Sequence, residues 1–537
     1  MKLNIQRLLF PAIALMLMVT ACNEENDLGT PPRLFRPVVE GSMGGTWIKL
    51  TWDRYTGTQS YNIQLSDDTD FTNILENAST EDVEYTFEGL RYNTQYYIRI
   101  QGIGDGIQSE PVTYTGKTAK YPTHLLSPAS SDCIDTQVRV KWETEYYDNL
   151  KVYIGKEYIK TVDLTAEDND EKTIIVRDLN PSSTYTIQAY REEAYLGEMD
   201  YTTVAAQVIE GDYADLRSLD PAEAYSKLTQ TYFDELEAQY PGGFTVILDG
   251  GIHYEIGTVN FSTNFSLVTG LSLAGNAIIE HNGGIGIKAD ANVGFITLNN
   301  LIFTDHPSSP RNGGNFGGKY AIDIRGTTAN AKIGELNIVG CDIRYKRGMF
   351  RAQSPVEIGK ITIDNCIIDS MGGYGITNAD HANAYFKEVI IKNSTIAHAE
   401  KILVASKPTP TDQCHSIVLE NLTVCYAPKG EGNYMIDYNN QTLPGGITVK
   451  NCIFGIGWDS KVRGMRSATT NIAIDNSFRA GDLEWTVNAS TGEPQNPIDL
   501  ERLTETTAAL FADPQNLNFK ITHDALVNKV GDPRWWK

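Results

Sequence analysis

From Phe244 onward the chain alternates apolar and polar residues in short runs, and one phrase keeps returning. It reads FITLNNLIF at 295–303, LNIVGCDI at 336–343, ITIDNCII at 361–368, VIIKNSTI at 389–396, IVLENLTV at 417–424, ITVKNCIF at 447–454 and IAIDNSF at 472–478. Each phrase is a period-two run, then a polar or small residue, then a second run. Period two sends alternate side chains to opposite faces of a strand. The junction residues are Asn300, Gly340, Asn365, Asn393, Asn421, Asn451 and Asn476, in steps of 40, 25, 28, 28, 30 and 25. Asn and Gly tolerate the left-handed backbone that a sharp bend between two strands requires. Steps of that size mark stacked structural repeats.

Stacked coils with a bend residue in register predict a right-handed parallel β-helix over 244–537, with the Asn amides hydrogen-bonded along a column. The residue after each bend then points inward: Cys341, Cys366, Ser394, Leu422, Cys452 and Ser477. A buried free thiol packs as a small hydrophobe, so these cysteines are expected to be structural. A third strand per coil is expected midway between phrases, at 320–326, 348–354, 374–380, 401–407, 434–439 and 462–468. This sheet is the expected working face, with the Gly-rich loop at 305–319 as a groove wall.

Before the repeat, LDPAEAYSKLTQTYFDELEAQYPGG predicts one helix. Asp220 is its N-cap, Pro221 sits at N1, Glu223 at N3, and Gly242-Gly243 end it. Tyr225, Leu228, Tyr232 and Leu236 form its apolar stripe, suited to covering the open end of the β-helix. Residues 33–206 contain a duplication of β-rich runs. Trp52 and Trp142 are 90 apart, and the pairs Leu90/Leu179 and Tyr96/Tyr185 are each 89 apart. Two β-sandwiches are expected, 33–118 and 119–206, serving as spacers.

At 537 residues and a formal net charge of -23, the chain is soluble and self-repelling, which argues against nucleic acid as a partner. Lys2, Arg7 and the apolar run LLFPAIALMLMV form a targeting segment too short to span a bilayer comfortably. The seven cysteines contain no C-x-x-C spacing and make a poor disulfide framework.

Three resemblances extend this reading. VTAC, ending at Cys22 and followed by the acidic NEENDLGTPP, resembles a bacterial lipobox with a surface-export signal. It implies a leader over 1–21, lipidation of Cys22, an acidic and Pro-rich linker over 22–32, and an outer-membrane location facing the cell exterior. The anchor would be the only contact with the membrane. Losing Lys2 and Arg7 and no acid would take the net charge from -23 to -25. The early Trp and the Leu-x5-Tyr corner of each duplicated unit resemble the fibronectin type III family. The repeat, the entry FTVILDGGIHYEI and the ending FADPQNLNFKITHDALVNKVGDPRWW resemble the pectate-lyase-like β-helix superfamily over about 210–537, with 207–243 as linker and capping helix. Together these resemble surface lipoproteins of starch-utilisation-system-like glycan loci. They imply a glycan as ligand, which the cations described next narrow to an acidic polysaccharide, and an outer-membrane glycan-uptake complex as partner.

One stretch stands out against the acidity. Between Arg311 and Lys360 there are nine Lys or Arg and four acids. A polyuronate carries one carboxylate per sugar, and Arg pairs with carboxylates bidentately. Alternation puts Arg351 outward if Phe350 is inward, and likewise Asp323 and Arg325 beside Ile322 and Ile324. The candidate glycan-binding residues are Arg325, Tyr345, Lys346, Arg347, Arg351 and Tyr374. The bland alternative is a solvated cationic edge that neutralises nearby acids.

A polysaccharide lyase would need a base and a cation at the uronate carboxylate. Arg347, Arg351 and Lys401 are candidates for the base. Asp323, Asp380 and Asp437 are candidates for Ca2+, the cofactor of that reading. The Arg-containing motif of pectate lyases and the Asp-Asp with Gly-His-Gly of polygalacturonases are both absent. His381 and His398 read as turn or surface residues. Three functions stay open: a non-catalytic glycan-binding lipoprotein, a divergent lyase, and a structural component of a glycan-uptake complex.

Overall fold

The structure is a computed structural model describing residues 33–306, 320–326 and 331–536. The leader, Cys22, the linker, Arg311, Lys319 and nearly all of the 305–319 loop lie outside the described residues. The chain falls into two compact units, one running to Leu125 with Thr144–Leu150 and Gln188–Met199, the other holding the remainder.

The first unit contains an antiparallel sandwich. Val39–Met43, Ile48–Trp52 and Glu84–Phe87 form one sheet; Ile74–Thr80, Ser60–Ser66, Gln95–Ile103 and Val112–Lys117 form the other. Trp52, Tyr61, Ile98 and Phe87 fill its core. The hydroxyl of Tyr96 accepts a hydrogen bond from the Arg91 amide at 3.0 Å. In the second unit the Tyr185 hydroxyl accepts from the Asn180 amide at 2.6 Å, and Trp142 is again buried. A tyrosine tied to backbone five residues upstream is the corner device of this sandwich class. The duplication read from the sequence therefore repeats in hydrogen bonding.

The β-helix has about nine turns. Strands before and after each bend form an eighteen-stranded parallel array, apart from which runs an eight-stranded parallel sheet. In the array Leu298, Ile338, Ile363, Ile391, Leu419 and Val449 stack in successive coils, all buried. All seven bend residues have positive φ, from 42° at Asn476 to 63° at Gly340. The amide column is real but incomplete. Asn476 donates to Asn451 at 2.8 Å, Asn451 to Asn421 at 3.1 Å and Asn421 to Asn393 at 2.8 Å. Asn393 then donates to Asp364 rather than to Asn365. The six residues after the bends are all buried, and burial pushes the Cys452 thiol up to about 12.

All six expected third strands are present in the eight-stranded sheet, joined by Val259–Phe261 and Ile285–Ile287. The capping element differs from expectation. It is two helices, Pro221–Tyr225 and Gln230–Gln239, with Thr229 starting the second by accepting from the Tyr232 amide at 3.2 Å. Thr229 offers a second N-cap inside what reads as one apolar period, and the cap wins. Phe233, not Tyr232, is the fully buried anchor, packed edge-on against Phe261 and Phe265. At the other end of the chain, Phe511, Phe519, Ile521, Leu526 and Val530 pack on Ala397, Cys425 and Ile453, so the tail covers the strands that follow the ladder.

Candidate functional site

Register in the eight-stranded sheet fixes which side chains share a column. Ile322, Phe350, Thr377, Leu403, Ile436 and Met465 are paired in succession and all buried. The column one residue on is Asp323, Arg351, Asn378, Val404, Asp437 and Arg466, on the outward face. Phe350 is inward and Arg351 outward, as alternation requires. Adjacent strands are about 4.8 Å apart, so Arg351 and Arg466, four strands apart, are separated by about 19 Å.

Two arginine–tyrosine–aspartate groups stand on this face. In the first, the Arg351 guanidinium lies 4.1 Å from the Tyr374 ring centroid and Arg347 lies 4.7 Å from the same ring. Arg351 also donates to the Tyr320 hydroxyl at 2.8 Å and to Asp380. Tyr320 and Tyr374 meet edge-on with centroids 5.5 Å apart. The backbone makes room for this: a Cβ at Gly348 would meet the Tyr320 ring at 3.0 Å, and Gly375 holds φ +78°. In the second group, Arg466 and Arg463 lie 4.6 and 5.3 Å from the Tyr434 ring centroid, and Arg466 makes two bonds to Asp437 at 2.8 and 2.7 Å. Tyr434, Arg463 and Arg466 were not among the residues singled out from the sequence. Their signal was the spacing Tyr434–Asp437 and Arg463–Arg466 in consecutive third strands.

The basic stretch is largely neutralised in place. Arg344 bonds Asp342 twice at 2.6 Å. Arg325 pairs with Asp323 at 2.5 Å, and Asp380 takes Lys407 at 2.5 Å as well as Arg351. Arg347 is exposed and, among the described residues, stacks on Tyr374 without a carboxylate partner.

Two of the six candidate glycan contacts are misplaced. Lys346 is fully buried, with Nζ 3.1 Å from Asp305 and 2.6 Å from the Thr304 carbonyl. Ile343 points inward, so strict alternation would send Lys346 outward, but the left-handed backbone at Tyr345 breaks the alternation and turns the Lys346 side chain inside. Tyr345 has φ +57° at that same corner and lines a different cleft. Arg325 borders a cavity of about 380 Å³ with Asn260, Asn282 and Asp323.

The calcium candidates do not converge. Asp323 and Asp437 stand four strands apart in one column, and Asp323, Asp380 and Asp437 each carry a guanidinium partner. Among the described residues no group of three or more His, Cys, Asp or Glu is gathered for a metal ion. Of the base candidates, burial works to lower the Arg351 pKa, but Asp380 and the neighbouring tyrosines outweigh it and push it up. Burial likewise acts to raise the Asp380 pKa, and the Lys407 and Arg351 contacts overcome it and bring it down. Both groups are held charged. Lys401 is half-buried just before Leu403–Val404, stacked on Gly375.

Comparison with known proteins adds the following. Residues 30–115 match the fibronectin type III domain. Residues 252–399 match a domain of unknown function (DUF4957), and residues 417–535 match another (DUF5123). A comparison with curated proteins gives no match. Among solved structures, a two fibronectin type-III domain segment from chicken tenascin is 18% identical, covering 32% of this chain and 99% of that one at a TM-score of 0.19. The chicken CNTN1 FN1-FN3 domains are 16% identical, covering 33% and 69% at a TM-score of 0.15. The chain thus has an N-terminal fibronectin type III domain and a downstream parallel β-solenoid.

Proposed function

We propose that this is a cell-surface, lipid-anchored protein that captures an acidic polysaccharide, of the polyuronate class, on the outward face of its eight-stranded sheet for glycan uptake. The observation that carries the reading is the Arg347–Tyr374–Arg351 stack. An aromatic ring flanked by guanidinium groups offers a sugar both an apolar face and a carboxylate partner. Arg347 is the group placed to receive the carboxylate, because it is exposed and unneutralised among the described residues. The second stack, at Tyr434, supports a ligand running across several strands rather than a single sugar.

The lyase reading draws less support. A base must shed its proton, and Asp380 holds that of Arg351 in place. A structural role in a glycan-uptake complex is favoured by no particular contact. The test is migration of the full chain through a gel containing polygalacturonate, with ultraviolet absorbance of the polymer followed in parallel. Retardation that is lost in Arg347→Ala/Arg351→Ala, without formation of unsaturated product, is expected. Unchanged retardation in that variant sinks the site, and product formation sinks the non-catalytic reading.

A further inference from the structure

The other corner of the same coils carries a second column of left-handed residues. Tyr345, Ser370, His398 and Tyr426 have φ of 57°, 59°, 44° and 52°, each five positions after a ladder residue. The ladder corner uses Asn and Gly, which adopt this conformation readily. This corner uses Tyr, Ser, His and Tyr; for the two tyrosines the conformation is strained, and such strain persists where side chains are needed in place.

Tyr345, Ser370 and His398 line an open cleft of about 420 Å³ together with Asp369, Trp458 and residues 515–517 of the tail. That volume suits a small ligand. His398 Nδ1 donates to Asp369 at 2.8 Å, and Ser370 donates to the same carboxylate at 2.9 Å. Asp369 is nearly buried, so it fixes the imidazole. Tyr426 stacks on His398 at 4.8 Å and 5°, and Trp458 meets its edge at 5.7 Å. Nε2 is left as the polar end of a ring gripped on its other sides. Lys429 sits 4.8 Å from the Trp458 ring centroid, and Arg344 is committed to Asp342. Arg344, the cation of the lining, is thus paired, and the lining also holds the buried carboxylate of Asp369.

We propose that this cleft binds a neutral pyranose ring, making a second carbohydrate site distinct from the arginine–tyrosine stacks. Aromatic Trp458 and Tyr345 supply apolar contact, and His398 Nε2 with the Gln515 and Asn516 side chains supplies partners for sugar hydroxyls. An anionic sugar is disfavoured, because Asp369 would repel it and Arg344 is already neutralised. The proposal does not rest on polyuronate capture.

The test is titration of the full chain with neutral hexasaccharides of glucose, xylose, mannose and galactose, and separately with hexagalacturonate, followed by tryptophan fluorescence and calorimetry. His398→Asn keeps a residue that accepts positive φ, and Trp458→Ala removes the ring. At least one neutral hexasaccharide is expected to bind, with affinity at least tenfold weaker in both variants and unchanged in Arg347→Ala/Arg351→Ala. Trp458→Phe should restore most of the loss, and it carries the comparison should His398→Asn melt early. Absence of binding by every neutral probe, neutral binding untouched by the cleft variants, or loss of hexagalacturonate binding in His398→Asn each overturns the proposal.

Discussion

Lys346 separates a structural cation from a binding one, and its removal can be worked through. Its side chain and that of Asp305 are both wholly inaccessible, 3.1 Å apart, with the Thr304 carbonyl at 2.6 Å and the His281 carbonyl at 3.5 Å. Lys346→Met keeps the apolar stem and deletes the charge. It leaves the Asp305 carboxylate buried against an apolar side chain. Breaking a buried pair from one side costs about 3–5 kcal/mol, because the remaining charge keeps its desolvation penalty. Part of that can be relieved at low pH. His281 is fully buried, and burial with the nearby Lys346 ammonium holds its pKa well below 6.5. Deleting Lys346 removes the second cause, so His281 can charge more easily beside Asp305. The loss should therefore be largest above pH 7 and smaller toward pH 5. Lys346→Met/Asp305→Leu removes both charges and should recover most of the loss, since apolar replacement of a buried pair is often neutral or stabilising. Urea unfolding followed by circular dichroism at pH 7.5 and 5.5 measures all three proteins. A loss below about 1 kcal/mol for the single variant, or a double variant no better than the single, refutes the pairing argument. Weakened polyuronate retention with unchanged stability would return Lys346 to the binding surface.

Three further outcomes follow from buried groups of the coils. Asn421→Ala loses two ladder hydrogen bonds of roughly 1 kcal/mol each and forces Ala into φ +53°, so about 3 kcal/mol should disappear from urea stability, and Asn421→Gly should lose nearer 2. The depressed His281 pKa means that the unfolded chain takes up a proton below about pH 6.5 while the native state does not. Stability should then fall on acidification from about 6.5, by up to roughly 1.4 kcal/mol per pH unit, and His281→Leu should flatten that slope between pH 6.5 and 5.5. Burial raises the pKa of the Cys341, Cys414, Cys425 and Cys452 thiols, so none should react with a thiol reagent in the native protein within minutes, and all should react in urea. Rapid native labelling of Cys452 would mean that the ladder interior opens.

The parts of the fold that were legible are those where one residue type does one backbone job. Asn at a left-handed bend, followed by a small inward residue, is such a case, and the alternation that placed Phe350 inside and Arg351 outside is another. The helix break at Thr229 was harder to see, since an N-cap inside an apolar period looks like a polar position of that period. The His398 corner was invisible for a sharper reason. Tyr, Ser, His and Tyr share no side-chain property, and only their φ values of 44° to 59° place them in one column. Sequence spacing held the clue, five residues after four of the seven ladder positions, but propensity argues against left-handed Tyr. The docking of Phe511 and Phe519 over the ladder strands was likewise out of reach, because contacts of this kind join segments that share no period.

The net charge of 311–360 says little about its surface, and the reason bears on what the sheet does. Nine cations against four acids suggested a free electropositive patch over 311–360. The pairing shows otherwise: Arg325, Arg344, Lys346 and Arg351 each meet an aspartate at Asp323, Asp342, Asp305 and Asp380. Asp323 and Asp342 sit two residues from their arginines, but Asp305 lies in the preceding coil and Asp380 follows the next third strand, so a count over 311–360 sees Lys346 and Arg351 and misses their acids. Among the described residues of this stretch, what remains to meet a polyanion is Arg347, exposed over Tyr374. A patch of several free cations would lose its hold steeply with ionic strength, as the Debye length shrinks from about 10 Å at 0.1 M to about 3 Å at 1 M. One stacked guanidinium with an aromatic ring beside it should be far less sensitive. Retention in a polygalacturonate gel should thus fall less than threefold between 0.05 and 0.3 M salt, and Arg347→Ala alone should remove most of it. A fall of tenfold or more, with Arg347→Ala near wild type, would show that the paired arginines open to receive the glycan and that the neutralised state is only the resting one.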